Sequence, residues 1–119
     1  MCTKSQLEAI EEEMVNYYRS VYGDSIDTII LYGSYARGDY SDDSDIDITA
    51  IVRGNRVELQ KKLKKMWDFS TEVGLAYDVI VSPTVIPYDE FEQYKEKLPY
   101  YRNIVKEGRK IGISDMQCL

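Results

Sequence analysis

The chain has 119 residues, of which 44% are hydrophobic and 30% are charged, and its formal net charge is −6. This length and composition predict a single globular domain over residues 1–119 and argue against wholesale disorder. The negative charge argues against direct nucleic-acid binding, because phosphate backbones are bound by positive patches.

The chain contains no histidine. This absence excludes Ser-His-Asp and Cys-His catalysis and most zinc sites. Any catalysis must therefore use carboxylates, metal ions and backbone dipoles.

The chain has no apolar run long enough to span a membrane, and glutamates occupy the region where a signal peptide would need apolar residues. We therefore expect a cytoplasmic protein without a membrane partner. Cys2 and Cys118 lie almost at the ends of the chain. We expect free thiols, although a disulfide joining the ends is geometrically possible.

In chain order, the first predicted element is a helix. Apolar residues recur at spacings of three and four from Leu7 to Val21, which is the period of an amphipathic helix. A capping box can form at its start, from Thr3 with Gln6 or from Ser5 with Glu8. Gly23 can end the helix in a left-handed conformation.

Two strands follow this helix. Ile26 to Tyr32 is almost continuously apolar and rich in β-branched residues, which predicts a central strand covered on both faces. Residues 45–52 alternate between polar and apolar side chains, so we expect a strand with one core face. Asp45 and Asp47 lie on its other face.

The second half of the chain predicts a helix, a strand, a loop and two further helices. The predicted bounds are a helix capped by Asn55 and lasting to about Ser70, a strand over Ala76–Val81, a loop over Pro83–Pro87, a short helix capped by Asp89 and a last helix ending near Gly108. This element order predicts the α/β (α+β) class, with a small mixed β-sheet and flanking helices.

A possible phosphate site follows the first strand. Gly33 allows the backbone to approach a phosphate closely because it has no Cβ atom, and Ser34 adds a hydroxyl donor. Arg37 could contact a phosphate or form a salt bridge with a nearby aspartate. A Gly-Ser pair by itself often marks only a turn.

Three aspartates suggest a metal site. Asp45 and Asp47 share one face of a strand, where two carboxylates are unfavourable neighbours without a cation between them. Asp78 lies within an apolar predicted strand, where a lone carboxylate is costly to bury. If the two strands are adjacent, the three side chains could hold two magnesium ions. The alternative is a set of solvated aspartates.

The spacing of these residues matches a known family. Gly33-Ser34, ten intervening residues, Asp45-Ile46-Asp47 and a later Asp78 resemble the nucleotidyltransferase signature of the DNA polymerase β superfamily. The context Tyr-Gly-Ser-Tyr-Ala-Arg-Gly-Asp is similar to that of the minimal nucleotidyltransferases, which serve as antitoxins to HEPN-domain toxins.

The resemblance implies a polymerase-β-like nucleotidyltransferase fold and a role for each residue. Gly33 and Ser34 would bind the phosphates of ATP, while Asp45 and Asp47 would coordinate two Mg²⁺ ions. Asp78 would bind the catalytic metal and help deprotonate the acceptor. A hydroxyl, in this branch a tyrosine of the partner HEPN toxin, would attack the α-phosphate and release pyrophosphate.

Two alternatives remain open at this stage. The domain could neutralise a toxin by binding alone, or it could transfer a nucleotide to a small molecule. Larger relatives carry a second domain that helps to hold the base and the acceptor, and 119 residues leave no room for one. We therefore expect a partner protein to complete the site if the chain is an enzyme.

Overall fold

A computed structural model describes residues 3–41 and 43–112. Cys2 and Cys118 lie outside these residues, as does Asp42. The described part of the chain forms a four-stranded sheet with helices on both faces, which confirms the predicted mixed α/β class. None of its helices is both long and apolar enough to cross a membrane.

Residues 3–41 and 43–112 form five α-helices and four strands, with a short 3-10 turn after the first helix. In chain order they are α1 (Lys4–Tyr22), the 3-10 turn (Gly23–Ser25), β1 (Ile26–Tyr32), α2 (Ser34–Arg37), β2 (Ile46–Val52), α3 (Arg56–Tyr77), β3 (Val81–Pro87), α4 (Tyr88–Tyr94), α5 (Pro99–Glu107) and β4 (Arg109–Lys110).

The starts of the two long helices agree with the sequence analysis. Thr3 caps α1 through a complete capping box with Gln6, whose side chain accepts from the Thr3 backbone N–H at 2.8 Å. The Asn55 side chain caps α3 by accepting from the backbone of Val57 and Glu58. Short polar side chains of this kind satisfy N–H groups that have no partner within the helix.

The sheet has the strand order β3-β2-β1-β4. β1 is antiparallel to both β2 and β4, whereas β2 is parallel to β3. A parallel pair needs a long crossover connection, and the 22 residues of α3 provide it. This crossover returns the chain to the edge of the sheet, so β3 begins beside the start of β2.

Two apolar clusters lie on opposite faces of the sheet. The larger cluster joins one face to α1 and α3, and fully buried Met14, Ile48 and Met66 belong to it. The smaller cluster joins the other face to α4 and α5 and includes Ile51 and Phe91. The predicted alternation of β2 is therefore confirmed, although its second face is only partly polar.

The third strand differs from its prediction. The strand predicted at Ala76–Val81 is wrong, because α3 continues past Ser70 to Tyr77 and the strand occupies Val81–Pro87. The predicted loop over Pro83–Pro87 is thus a strand. Prolines are tolerated there because β3 lies at the sheet edge, where some backbone N–H groups need no partner.

Two helix starts near the end of the chain also differ in detail. The predicted cap at Asp89 is wrong: α4 begins at Tyr88 and Asp89 lies in its first turn. Pro99 separates the last two helices as expected, and it is the first residue of α5. Proline suits that position because its fixed φ is helical and its missing N–H would have no partner.

Candidate active site

The Gly-Ser turn lies directly against one of the predicted metal ligands. Gly33 follows β1 with φ 77° and ψ −158° and precedes the single turn of α2. A Cβ atom on Gly33 would lie 2.5 Å from Oδ2 of Asp47, so any side chain there would push the carboxylate out of its position. Glycine is therefore required at this position both for its backbone conformation and for its contact with the carboxylate.

Asp45 and Asp47 occupy the start of β2 as predicted. Asp45 immediately precedes the strand and is exposed, while Asp47 is half-buried. The Cα atom of Asp47 is opposite Tyr32 of β1 and Ser82 of β3. Asp47 thus lies in the central region of the sheet, with its carboxylate facing the Gly33 turn.

The pKa of Asp47 shows that its negative charge is only partly compensated. Burial raises this pKa first, the neighbouring carboxylate of Asp45 raises it further, and Arg37 lowers it. A divalent cation between the two carboxylates would remove much of the unfavourable charge. The pair therefore fits Mg²⁺, which is usually held by one or two carboxylates together with substrate phosphates.

Arg37 forms two ion pairs in this structure. Its guanidinium donates to Asp39 and to Glu107, at 3.1 Å in each case. These hydrogen bonds raise the pKa of Arg37. Of the two interpretations of Arg37 from the sequence, the salt bridge to a loop aspartate is present, and the phosphate contact stays a prediction. Arg37 also lowers the pKa of Asp47, so its positive charge acts on the carboxylate pair.

Asp78 is placed differently from its prediction. It is an exposed residue that ends α3 in the left-handed conformation, with φ 57° and ψ 48°, and its backbone N–H donates to the Gly74 carbonyl. Its expected position within an apolar strand is therefore wrong. In residues 3–41 and 43–112, no group of three or more His, Cys, Asp or Glu side chains is arranged to hold a metal ion. The role of Asp78 stays a prediction.

A cavity of about 740 Å³ places Asp78 and Asp45 on a common surface. It lies between the end of α3, the turn that follows it and the loop before β2. Asp43 is the third carboxylate in its lining, where the sequence suggested only a turn residue. The structure thus brings together Gly33 and Asp47 at one point, and Asp45 and Asp78 around the adjacent cavity.

Sequence reasoning did not identify the tyrosines beside Asp47. Tyr32 is on the same sheet face, and its hydroxyl lies 2.8 Å from that of Tyr100 at the start of α5. Burial is the main cause that raises the pKa of Tyr32, and Asp47 contributes. The register between β1 and β2 was the missing signal, because only that register places Tyr32 opposite Asp47.

The fold and these residues define the class of protein. The chain belongs to the nucleotidyltransferase family, because the family model described as "Nucleotidyltransferase domain" matches residues 9–111. The resemblance inferred from the sequence is confirmed at this level.

Two archaeal relatives support the same assignment. The chain is 37% identical to the candidate protein adenylyltransferase MJ0604 of Methanocaldococcus jannaschii over 98 residues, covering 82% of this chain and 90% of that protein. It is 32% identical over 97 residues to MJ0141 of the same organism, which bears the same description. That match covers 74% of this chain and 96% of the relative.

Two solved structures share the fold. A crystal structure of the toxin–antitoxin MntA-HpeT mutant aligns with a TM-score of 0.53 and 16% identity, covering 90% of this chain and 78% of the matched chain. A complex of the tri-AMPylated Shewanella oneidensis HEPN toxin with MNT antitoxin aligns with a TM-score of 0.50 and 16% identity, covering 93% and 77%. At this identity the likeness establishes the fold alone.

Proposed function

We propose that this protein transfers AMP from ATP to a hydroxyl of a partner protein, namely a tyrosine of a HEPN-domain toxin, and thereby acts as an antitoxin. The observation that carries the proposal is the contact between the Gly33 backbone and the Asp47 carboxylate, beside Asp45. This arrangement brings a phosphate-sized turn to a carboxylate pair that needs a cation.

The chemistry requires positioning and charge neutralisation. The acceptor oxygen forms a bond to the α-phosphorus of ATP, the bond from that phosphorus to the bridging oxygen breaks, and pyrophosphate leaves. Asp45 and Asp47 would hold Mg²⁺, which would neutralise the phosphates and favour ionisation of the attacking hydroxyl. Gly33 and Ser34 would place the phosphates, and Arg37 would add positive charge to the same region.

Asp78 would accept the proton of the acceptor hydroxyl in this scheme. Its position on the cavity that also contains Asp45 supports this role. Asp78→Asn should then lower the rate of transfer and leave ATP binding intact. An unchanged transfer rate would assign the proton to another group.

The names of the relatives support this choice of acceptor and partner. The archaeal relatives are described as candidate protein adenylyltransferases, and one neighbouring structure contains an AMPylated HEPN toxin with an MNT antitoxin. Both point to a protein acceptor rather than a small molecule. The negative net charge of −6 also suits a basic, RNA-cleaving partner.

The test is transfer of label from ATP. The protein is incubated with ATP labelled in the α-phosphate, Mg²⁺ and a HEPN-domain protein from the same organism, and label on the HEPN-type protein is measured. Asp45→Ala and Asp47→Ala should abolish the label, whereas Asp89→Ala, at an exposed position in α4, should retain it. Addition of EDTA should abolish it in every case.

Neutralisation by binding alone is the second candidate. The net charge of −6 favours it, because an acidic surface can bind a basic partner whether or not a nucleotide is transferred. A toxin that is neutralised without acquiring label would support it and would contradict the transfer reaction.

A further inference from the structure

Three large apolar side chains are exposed around the cavity next to Asp45. The exposed fractions are 45% for Trp67, 80% for Leu75 and 62% for Ile80, and all three residues line the cavity. Single exposed apolar residues are common in soluble proteins, but a cluster beside a functional site marks an interaction surface. We call these three residues the Trp67 surface.

The backbone holds this surface in a fixed shape. Trp67 and Leu75 are eight residues apart on α3, so they lie on the same side of the helix. Between them, a Cβ atom on Gly74 would lie 2.5 Å from the carbonyl oxygen of Val79. The Val79 N–H in turn donates to the Gly74 carbonyl at 3.0 Å. This close packing brings Ile80 beside the end of the helix.

The charged residues that line the cavity have one sign. They are Asp43, Asp45 and Asp78, and no lysine or arginine is among the described residues that line it. A protein segment with an apolar side chain and neighbouring lysines or arginines matches both the apolar residues and the carboxylates.

We propose that the Trp67 surface is the docking site for the acceptor protein, which inserts an apolar side chain flanked by basic residues. The inference rests on the proposed function, because that function requires a partner to reach the site. Asp45 lines the cavity, so a segment docked there would lie next to one carboxylate of the pair. The partner would thereby supply the acceptor half of the active site.

The experiment compares two arginine substitutions on the same helix. Leu75→Arg removes an apolar contact and places positive charge opposite a basic partner. Val57→Arg makes the same change at the other end of α3, at a residue that is 59% exposed. Both positions are exposed, so neither substitution should prevent folding. Affinity for the HEPN-type protein is measured without ATP, so that binding is separate from transfer.

We expect Leu75→Arg to weaken binding by at least about tenfold and Val57→Arg to change it by less than about twofold. Added salt should weaken binding of the wild-type protein, because the complementary charges are exposed. Asp47→Ala should bind as well as the wild type and transfer no AMP.

Several outcomes would overturn the proposal. They are wild-type affinity in Leu75→Arg, equal losses in both arginine variants, and no binding of the HEPN-type protein by the wild type. A Leu75→Arg variant that loses affinity for ATP, measured without the partner, would make the cavity a nucleotide site instead. If the wild type binds but transfers no AMP, and Leu75→Arg weakens binding, the docking site stands and the proposed reaction fails.

Discussion

The two faces of the sheet have opposite characters. On the face covered by α1 and α3, Ile48 and Met66 are completely buried in a continuous apolar cluster. On the other face, α4 and α5 cover only part of the sheet with apolar residues, and β2 also presents Asp47 and Thr49 there. The first face carries the larger apolar core, and the second combines a smaller apolar cluster with a half-buried carboxylate of the candidate site.

Asp47→Asn should have the largest effect on activity and little effect on folding. We expect transfer to fall on the order of 10³-fold, because a charged ligand for the substrate-bound cation is lost. The melting temperature should stay the same or rise, since ionised Asp47 is half-buried beside Asp45. A decrease in melting temperature of more than about 4 °C would show that Asp47 stabilises the fold.

The pH dependence of stability sharpens this prediction. Asp47 has a raised pKa in the folded protein, so the folded state holds its proton more tightly than the unfolded state does. Wild-type stability should therefore fall relative to Asp47→Asn as the pH rises through that raised pKa. Below the ordinary pKa of an aspartate, Asp47 is protonated in the folded and the unfolded state alike, so the pH-dependent difference in stability between the wild type and Asp47→Asn should vanish. Thermal unfolding at a series of pH values measures it.

Met66→Ala tests the opposite face. Met66 is fully buried between α3 and the sheet, so we expect unfolding to become easier by about 2–5 kcal/mol. Denaturant titration measures this loss. Activity per folded molecule should stay close to that of the wild type at a temperature where the variant is folded. A specific loss of activity without a loss of stability would break the distinction between the two faces.

Gly33→Ala should damage the site with a smaller effect than the loss of Asp47. The new Cβ atom would push against the Asp47 carboxylate, and displacement of the turn should reduce transfer about 100-fold. Gly38→Ala is the matched control: Gly38 also has a positive φ, of 87°, but a Cβ atom there meets nothing within 4 Å. Equal losses in both variants would mean that backbone strain alone is responsible.

Thr49→Val should give the smallest effect, in the stabilising direction. Thr49 is completely buried, and its hydroxyl has no hydrogen-bonding partner among the residues that the structure describes. Valine has the same shape without the buried hydroxyl, so we expect a gain of about 1 kcal/mol in the free energy of unfolding. A loss of stability would indicate that the hydroxyl has a partner in solution.

The sequence predicted the elements whose signals are local. The capping box at Thr3, the cap at Asn55 and the alternation of β2 depend on side chains within a few residues of each other. The spacing from Gly33-Ser34 to Asp45 and Asp47 likewise singled out these four residues, although the contact between Gly33 and Asp47 depends on the register between β1 and β2. Local periodicity and motif spacing suffice for such features.

The remaining features depend on tertiary structure. The position of Asp78 required the end of α3, and apolar residues on both sides of that end fit a helix or a strand equally well. Trp67 directly follows the fully buried Met66 on α3, yet it is one of the more exposed apolar residues. The exposure of a helix residue depends on which other elements pack against it, and the pattern of a single sequence does not contain that information.

The prolines of β3 have a consequence for association between copies of the chain. The backbone carbonyl of Ile80 points towards β2, where it accepts from the backbone N–H of Ile46. The backbone groups of successive residues point to alternate edges of a strand, so the nitrogens of Pro83 and Pro87, an odd number of residues further on, point to the open edge. Neither nitrogen can donate to another strand. Four residues of β3 have backbone groups that point to the open edge, and two of them are these prolines. An incoming strand would therefore find only two N–H donors, so this edge resists the strand addition that leads to aggregation.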